Sequence, residues 1–205
     1  MFGLAVLVVM GLYLLISIVA VRAAVIHARK QGRRAWVWGL VTAVVMYNLV
    51  FWDWLPTVAT HQYYCATEAG FWTYKTVDQW KQENPGVMET LPAPGAAGSP
   101  TKHEEFDDRH GRTDTYLLNE RFSWVVIQQD ISSLLPIIRT EHQIKDTRKN
   151  EVLARYIDFG SGNSVKNPIG PPGPLKFWLH SSDCDGGDAN YGKFLLFKRL
   201  FEVTK

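Results

Sequence analysis

The sequence predicts an α+β protein: an N-terminal two-helix transmembrane hairpin, followed by an extracytoplasmic domain of mainly antiparallel β strands with one short helix. Three observations predict this class: two long apolar segments near the N-terminus, a run of basic residues between them, and alternating apolar and polar residues further on. The hairpin would occupy residues 1–55. Residues 56–205 are enough for one domain of ordinary size.

The first apolar segment, residues 2–21, contains no charged side chain. At 1.5 Å per residue, a helix of this length crosses a hydrocarbon core of about 30 Å. A cleaved signal peptide is the alternative, but it carries its positive charge before the apolar run. Here the charge follows the run. The segment is therefore predicted to be a retained first span whose N-terminus lies outside the cytoplasm.

The segment 22–35 is predicted to be a cytoplasmic loop, because short basic loops between spans stay on that side of the membrane. It contains no acidic residue. Its five cations are Arg22, Arg29, Lys30, Arg33 and Arg34. The rest of the chain has a slight excess of acids, without the basic patch that nucleic-acid binding requires. The positive charge is thus interpreted as a signal of topology, and nucleic acid is not an expected partner.

The second span is predicted at residues 36–55, because aromatic rings that prefer the headgroup level flank it on both sides. These rings are Trp36 and Trp38 at one edge and Trp52 and Trp54 at the other. Gly39 and Ala43 are small residues one helical turn apart, which would let the two spans approach closely. Both ends of the chain would then lie on the periplasmic side of a bacterial inner membrane.

The first half of the outer domain is predicted from composition and local motifs. Residues 60–75 are rich in aromatic and β-forming residues, with a strand at 70–75. Thr76 and Gln79 form a capping-box pattern that predicts a short helix over 76–84. Residues 91–115 combine Pro, Gly and Ala with clustered charge, and a flexible surface loop is expected there.

The second half of the outer domain gives the clearest periodic signals. A buried strand is predicted within 116–129. Residues 137–146 alternate between charged and uncharged positions, and a turn leads into 151–159, so these segments predict a β-hairpin. Further strands are predicted at 175–180 and 193–203. The last segment also fits a 3.6-residue period, and a short helix is its alternative.

The two cysteines, Cys65 and Cys184, both lie in the part predicted to be outside the cytoplasm. Oxidising conditions there let disulfides persist, so a Cys65–Cys184 bond is expected. A reactive thiol pair is the alternative reading, although no CxxC spacing supports it.

Several runs together resemble a group of uncharacterised small proteobacterial inner-membrane proteins. The runs are WDWLPTVATHQYYC, GFWTYK, EVLARYIDFGSG and LKFWLHSSDC. The likeness covers most of the chain from Trp52 onward, apart from the Pro-rich loop. It implies an envelope location and brings no activity, cofactor or catalytic residue.

One candidate metal site lies in the Gly-rich run DCDGGDAN. Its four oxygen-bearing side chains are Asp183, Asp185, Asp188 and Asn190. Hard cations such as Ca²⁺ bind oxygens on a tightly curved backbone, but the twelve-residue calcium loop ends in Glu, and the twelfth residue here is Phe194. A polar turn is the favoured interpretation, and no cofactor is expected.

A second His- and acid-rich run could offer ligands for zinc or manganese. It comprises His103, Glu104, Glu105, Asp107, Asp108 and His110. Because the run falls in the predicted flexible loop, a solvated charge cluster is the favoured interpretation.

No pattern in the sequence predicts a catalytic centre. Candidates for nucleophilic catalysis are Ser161, Ser181 and Ser182, with His142 and His180 on predicted strands. A GxSxG motif, a P-loop and a haem-attachment motif are all missing from the sequence.

The leading hypothesis is therefore a non-enzymatic module that is anchored in the lipid bilayer and binds a membrane or periplasmic protein. It could be an accessory subunit of a membrane complex, or an inhibitor or immunity factor. A sensing or ligand-binding domain is the first alternative, and an envelope hydrolase using His142 or His180 is the second.

Overall fold

The computed structural model divides into two compact units, Met1–Pro56 and Thr57–Lys205. It describes residues 2–91, 102–107, 111–132, 134–162, 176–181, 183–184 and 189–202. The first unit is helical, whereas the second is built around a β sheet.

The first helix, α1, runs over Phe2–Lys30, so the predicted loop at 22–35 is wrong for most of its length. The run after residue 21 contains no Pro or Gly before Gly32, and the helix therefore continues. Gly32 ends it with φ +66°, and the Arg33 N–H donates to the Ala28 carbonyl at 2.9 Å. This is the usual way for a glycine beyond the last turn to stop a helix. The basic residues thus extend the helix and form a short turn.

The second helix, α2, covers Ala35–Phe51 and packs against α1. Gly39 is buried at the contact, where a Cβ atom would lie 2.8 Å from Cγ2 of Val25. The Tyr13 hydroxyl donates a hydrogen bond to the Met46 carbonyl further along the same contact. A glycine therefore permits the close approach that the sequence predicts for it.

Among the described helices, α1 alone is long and apolar enough to span a membrane, over Val6–Lys30. The next helix, α3, covers Trp54–Thr67. It passes the same test only in combination with α2, and the two are bent by 60°. The predicted second span at 36–55 is therefore wrong in its boundaries, because the helix breaks after Phe51 and a new helix begins at Trp54, one residue before the predicted end.

The second unit contains a six-stranded antiparallel sheet in the order β1-β6-β5-β4-β3-β2. The strands are β1 (Gly70–Thr73), β2 (Lys102–Asp107), β3 (Gly111–Leu117), β4 (Phe122–Asp130), β5 (Ile137–Asp146) and β6 (Glu151–Ser161). The α+β class with antiparallel strands is confirmed. So is the hairpin of β5 and β6, whose turn at 147–150 includes Asn150 with φ +50°.

The predicted flexible loop at 91–115 is wrong where β2 and most of β3 lie. Residues 92–101 and 108–110 are outside the described part of the chain. The sequence argument failed because it required every ordered segment to bury apolar surface. The strand β2 is an edge strand, and edge strands commonly carry charge.

The second unit has more helix than the one short helix predicted. Residues 60–67, which are rich in β-forming residues, belong to α3. The predicted short helix is confirmed as α4 (Val77–Glu83), with Thr76 and Gln79 forming the reciprocal capping box. It is followed by α5 (Val87–Thr90).

The two last predicted strands are also wrong. The segment 193–203 lies largely in α6 (Ala189–Glu202), so its helical alternative was right. Phe194 and Phe201 are fully buried while Leu196 and Leu200 are exposed, a 3.6-residue pattern that only a helix can satisfy. In the described part of 175–180, a 3-10 turn occupies Phe177–Leu179.

Helices α4, α5 and α6 pack on one side of the sheet, which we call the covered face. Its core includes the fully buried side chains Trp80, Phe122, Leu153, Phe194 and Phe201. On the opposite side, Tyr64 of α3 stacks on Phe159 at 5.2 Å, beside Ile137 and Ile157. The middle of that second side carries Arg, Glu and Gln side chains, which form one of the candidate sites below.

Candidate functional site

The predicted topology residues lie at one end of the α1–α2 pair. Arg22, Arg29 and Lys30 belong to the last turns of α1, and Arg33 and Arg34 lie in the turn that follows. The four interface residues Trp36, Trp38, Trp52 and Trp54 are all exposed, by 39% to 69%. The basic end and the indole rings are therefore accessible to a bilayer.

The predicted calcium site is not assembled in the described residues. Asp183 is exposed, and Asn190 lies in the first turn of α6, where its amide oxygen accepts a hydrogen bond from Lys193 at 3.2 Å. Asp185 and Asp188 lie outside the described part of the chain. Residues His103 to Asp107 belong to β2, but the structure does not describe their side chains. Asp108 and His110 lie outside the described part of the chain.

The predicted serines and histidines do not form a nucleophile and base pair within the described residues. The Ser161 hydroxyl lies 2.5 Å from the Leu179 carbonyl and 2.8 Å from the Ser181 hydroxyl, which ties the end of β6 to the 3-10 turn. His180 is exposed, and Ser182 lies outside the description. Ser161 and Ser181 therefore have a structural role where β6 contacts the segment around the 3-10 turn.

His142 lies among aromatic rings on the covered face. Trp124 Nε1 donates to His142 Nδ1 at 3.2 Å, and the rings of Tyr156, Tyr191 and Phe194 lie 5.4–5.7 Å from the imidazole. Burial, and secondly the charge of Lys198, lower the pKa of His142 to about 4. The imidazole is therefore neutral and packed, as a core histidine is.

The disulfide between Cys65 and Cys184 is present and joins α3 to the segment that precedes α6. The Cys184 N–H donates to Asp158 Oδ1 at 3.0 Å, and the Phe159 N–H donates to the same oxygen at 2.9 Å. Burial raises the pKa of Asp158, outweighing these two hydrogen bonds that lower it. A buried carboxyl group thus lies beside the crosslink.

His61 is a member of this cluster that the sequence argument missed. It lies one helical turn before Cys65 on α3 and is 8% exposed. Its Nε2 lies 2.9 Å from the Phe159 carbonyl oxygen, and Cys65 Sγ lies 3.6 Å from Nε2 and 3.8 Å from Nδ1. The spacing in HQYYC places His and Cys on one helix face, a signal that is lost when the segment is taken as a strand.

The second candidate site is the polar face, which we define as Trp72, Arg139, Glu141, Gln143 and Arg155. Glu141 is almost fully buried between two arginines, with Arg139 Nη2 at 2.6 Å and Arg155 Nε at 2.7 Å from its oxygens. Burial alone would raise the pKa of Glu141, but the Gln143 hydrogen bond and both arginines outweigh it and lower the pKa. The carboxylate is therefore charged and holds both guanidinium groups in place.

The rim of the polar face is accessible. Trp72 is 40% exposed and lies directly opposite Arg155 across the β1–β6 pair. Gln143 donates its amide to Glu141, while its own Oε1 is buried. The face therefore presents an indole ring and two oriented guanidinium groups.

No protein-family model, curated protein or solved structure matches this chain. Its functional assignment therefore depends on the geometry of these sites.

Proposed function

We propose that this protein is a non-enzymatic, membrane-anchored module of the bacterial inner membrane that binds another membrane or periplasmic protein through its polar face. In this proposal α1 crosses the bilayer, and α2 together with the first residues of α3 crosses it in the return direction. The basic turn after α1 lies on the cytoplasmic side, as the positive-inside rule requires. Both ends of the chain and the Cys65–Cys184 disulfide then lie in the oxidising periplasm.

The arrangement of the polar face carries the proposal. Tryptophan and arginine are the residues most enriched where protein interfaces gain their binding energy. Here they occupy neighbouring β strands, so their backbone positions are fixed. Glu141 fixes the guanidinium groups in addition, which reduces the entropy that they would lose on binding.

The charge of the polar face indicates the chemistry of its partner. One carboxylate stands between two guanidinium groups, so the face retains a surplus positive charge. Guanidinium groups bind carboxylates through paired hydrogen bonds. The complementary surface would offer an Asp or Glu side chain to Arg155 and an apolar contact to Trp72. An accessory subunit and an inhibitor or immunity factor would both use such a contact.

Site-specific photocrosslinking tests this proposal. A photoreactive amino acid replaces Trp72 in one variant and Leu196 in another, in cells of the native host. Leu196 is the matched control, because it is 63% exposed and lies on α6, on the covered side of the sheet. We expect a discrete protein adduct from position 72 that Arg155→Ala diminishes, and no such adduct from position 196.

Adducts of equal intensity at the two positions, or none at position 72, would refute the polar face as a docking surface. Orientation is tested separately with topology reporters fused at Gln31 and after Lys205. We expect cytoplasmic activity at the first position and periplasmic activity at the second.

A further inference from the structure

We infer that His61, Cys65 and Cys184 form a binding site for a thiolate-preferring metal ion, represented by Zn²⁺, once the disulfide is reduced. The site is distinct from the polar face and does not depend on the proposed protein partner. In the oxidised protein the two sulfurs are bonded to each other and cannot act as thiolate ligands. Disulfide formation and metal binding therefore exclude each other.

The three donor atoms already lie at distances close to those of a tetrahedral zinc centre. With Zn–S bonds of about 2.3 Å and Zn–N bonds of about 2.0–2.1 Å, a sulfur and a nitrogen lie about 3.5 Å apart and two sulfurs about 3.8 Å apart. Cys65 Sγ lies 3.8 Å from Nδ1 of His61. All three donors lie within 4.8 Å of one another. To bind the metal ion after reduction, the two sulfurs must separate to about 3.8 Å.

The orientation of His61 is the second argument. Its Nε2–H donates to the Phe159 carbonyl at 2.9 Å, so Nδ1 retains its lone pair, and Cys65 Sγ lies 3.8 Å from Nδ1 and 3.6 Å from Nε2. Metal-binding histidines are held in this way, with the other ring N–H donated to a carboxylate or a backbone carbonyl. The same Phe159 carbonyl lies 3.8 Å from Cys184 Sγ. A single backbone carbonyl of β6 therefore lies close to both the His61 ring and the Cys184 sulfur.

The covalent step is a thiol–disulfide exchange with a dithiol reductant. The dithiol gives two electrons and two protons to the Cys65–Cys184 bond, which becomes two thiols, while the dithiol itself becomes a disulfide. Zn²⁺ then displaces the two thiol protons and forms two Zn–S bonds and one Zn–N bond to His61 Nδ1. Three protein ligands leave the fourth position of the tetrahedron open to water.

Metal titration of the full-length protein in detergent tests the inference. The protein is reduced with a dithiol, and the excess reductant is removed under anaerobic conditions. The reduced protein is then titrated with Co²⁺ as a spectroscopic probe, and Zn²⁺ is added in competition. We expect one metal ion per chain, thiolate-to-cobalt absorption, and no binding by the oxidised protein. Cys65→Ser should abolish the absorption. His61→Ala should weaken affinity by at least about tenfold, whereas His180→Ala, at an exposed histidine, should leave it unchanged.

Equal affinity in the wild type and in His61→Ala would overturn the site as proposed, because two thiols alone would then explain the binding. Binding of Co²⁺ by the oxidised protein, or no uptake by the reduced protein, would overturn it as well. Circular dichroism follows the sheet throughout. A sheet that is lost on reduction and not restored by Zn²⁺ would equally refute a site that depends on the folded positions of α3 and β6.

Discussion

The neutral state of His142 predicts a specific dependence of stability on pH. The pKa of this imidazole lies near 4 in the folded protein, against an ordinary value of 6.5. Between these values the unfolded chain binds a proton that the folded chain does not, so the free energy of unfolding falls as the pH is lowered from 6.5 to 4. Above pH 6.5 the contribution is fully present. The difference in pKa corresponds to about 3 kcal/mol at most.

The surroundings of His142 explain both the direction and the size of this effect. Burial opposes the charged imidazolium, and Lys198 from α6 adds a positive charge that lies 4.3 Å from the ring centroid of Trp124. Protonation of Nδ1 would also remove the hydrogen bond that Trp124 donates to it. Tyr156 and Tyr191 are the other titratable side chains against the ring. Burial raises the pKa of Tyr191, so this residue supplies no compensating anion.

Urea unfolding of the full-length protein in detergent, followed by far-ultraviolet circular dichroism between pH 4 and 8, measures this contribution. His142→Gln is the comparison, because the Gln carbonyl oxygen can still accept the Trp124 N–H. We expect the wild type to lose up to about 3 kcal/mol more than the variant between pH 7 and 4. The carboxylates are common to both proteins and cancel in the difference. Parallel pH profiles for the two proteins would refute the reasoning.

Two further predictions concern stability. Asp146 is fully buried, accepts a hydrogen bond from Trp80 and forms an ion pair with the nearly buried Arg121, so Asp146→Ala should cost about 3–5 kcal/mol in urea unfolding by leaving the guanidinium without its anion. Glu83→Gln, which removes the surface ion pairs with Lys75 and Lys149, should cost far less, and equal losses would contradict this account. Thr76→Ala should cost about 1 kcal/mol by removing the cap of α4. Thr76→Ser, which restores the hydroxyl, should recover most of that loss in the same assay.

The parts of the fold that sequence reasoning predicts correctly are those in which a local pattern determines the structure alone. The β5–β6 hairpin follows from alternation around a turn, and α4 follows from its capping box. Residues 60–67 show the opposite case. Their aromatic and β-branched side chains favour a strand, yet they form α3, where Tyr64 packs on Phe159 and Cys65 reaches Cys184. Tertiary packing overrides a weak intrinsic propensity here.

The candidate sites were harder to predict than the elements that carry them, because each depends on long-range pairing. The His61–Cys65–Cys184 cluster needs a helix over a segment where the sequence predicts none, and a contact across 119 residues. The polar face needs the register between β5 and β6, which includes an irregularity after Ile144. That irregularity leaves Leu153 without a partner in the β5–β6 ladder, and both Leu153 and Ala154 are fully buried. Strict alternation would have placed one of them on each side of the sheet.

Strand β5 contributes side chains to both faces of the sheet, and its register therefore has to be fixed. Glu141 lies on the polar face between its arginines, and the next residue, His142, lies on the covered face among aromatic rings. A slip of one residue would exchange the two faces, because side chains alternate along a strand. The carboxylate would then enter the aromatic cluster without a cation in hydrogen-bonding position, and the arginines would lose their common anion. The buried pair of Asp146 and Arg121 at the end of β5 opposes the same slip, since Asp146 also accepts the N–H groups of Arg148 and Lys149 in the turn. The surface proposed to bind a partner is thus held in register in part by Asp146 and Arg121, which are not among its residues.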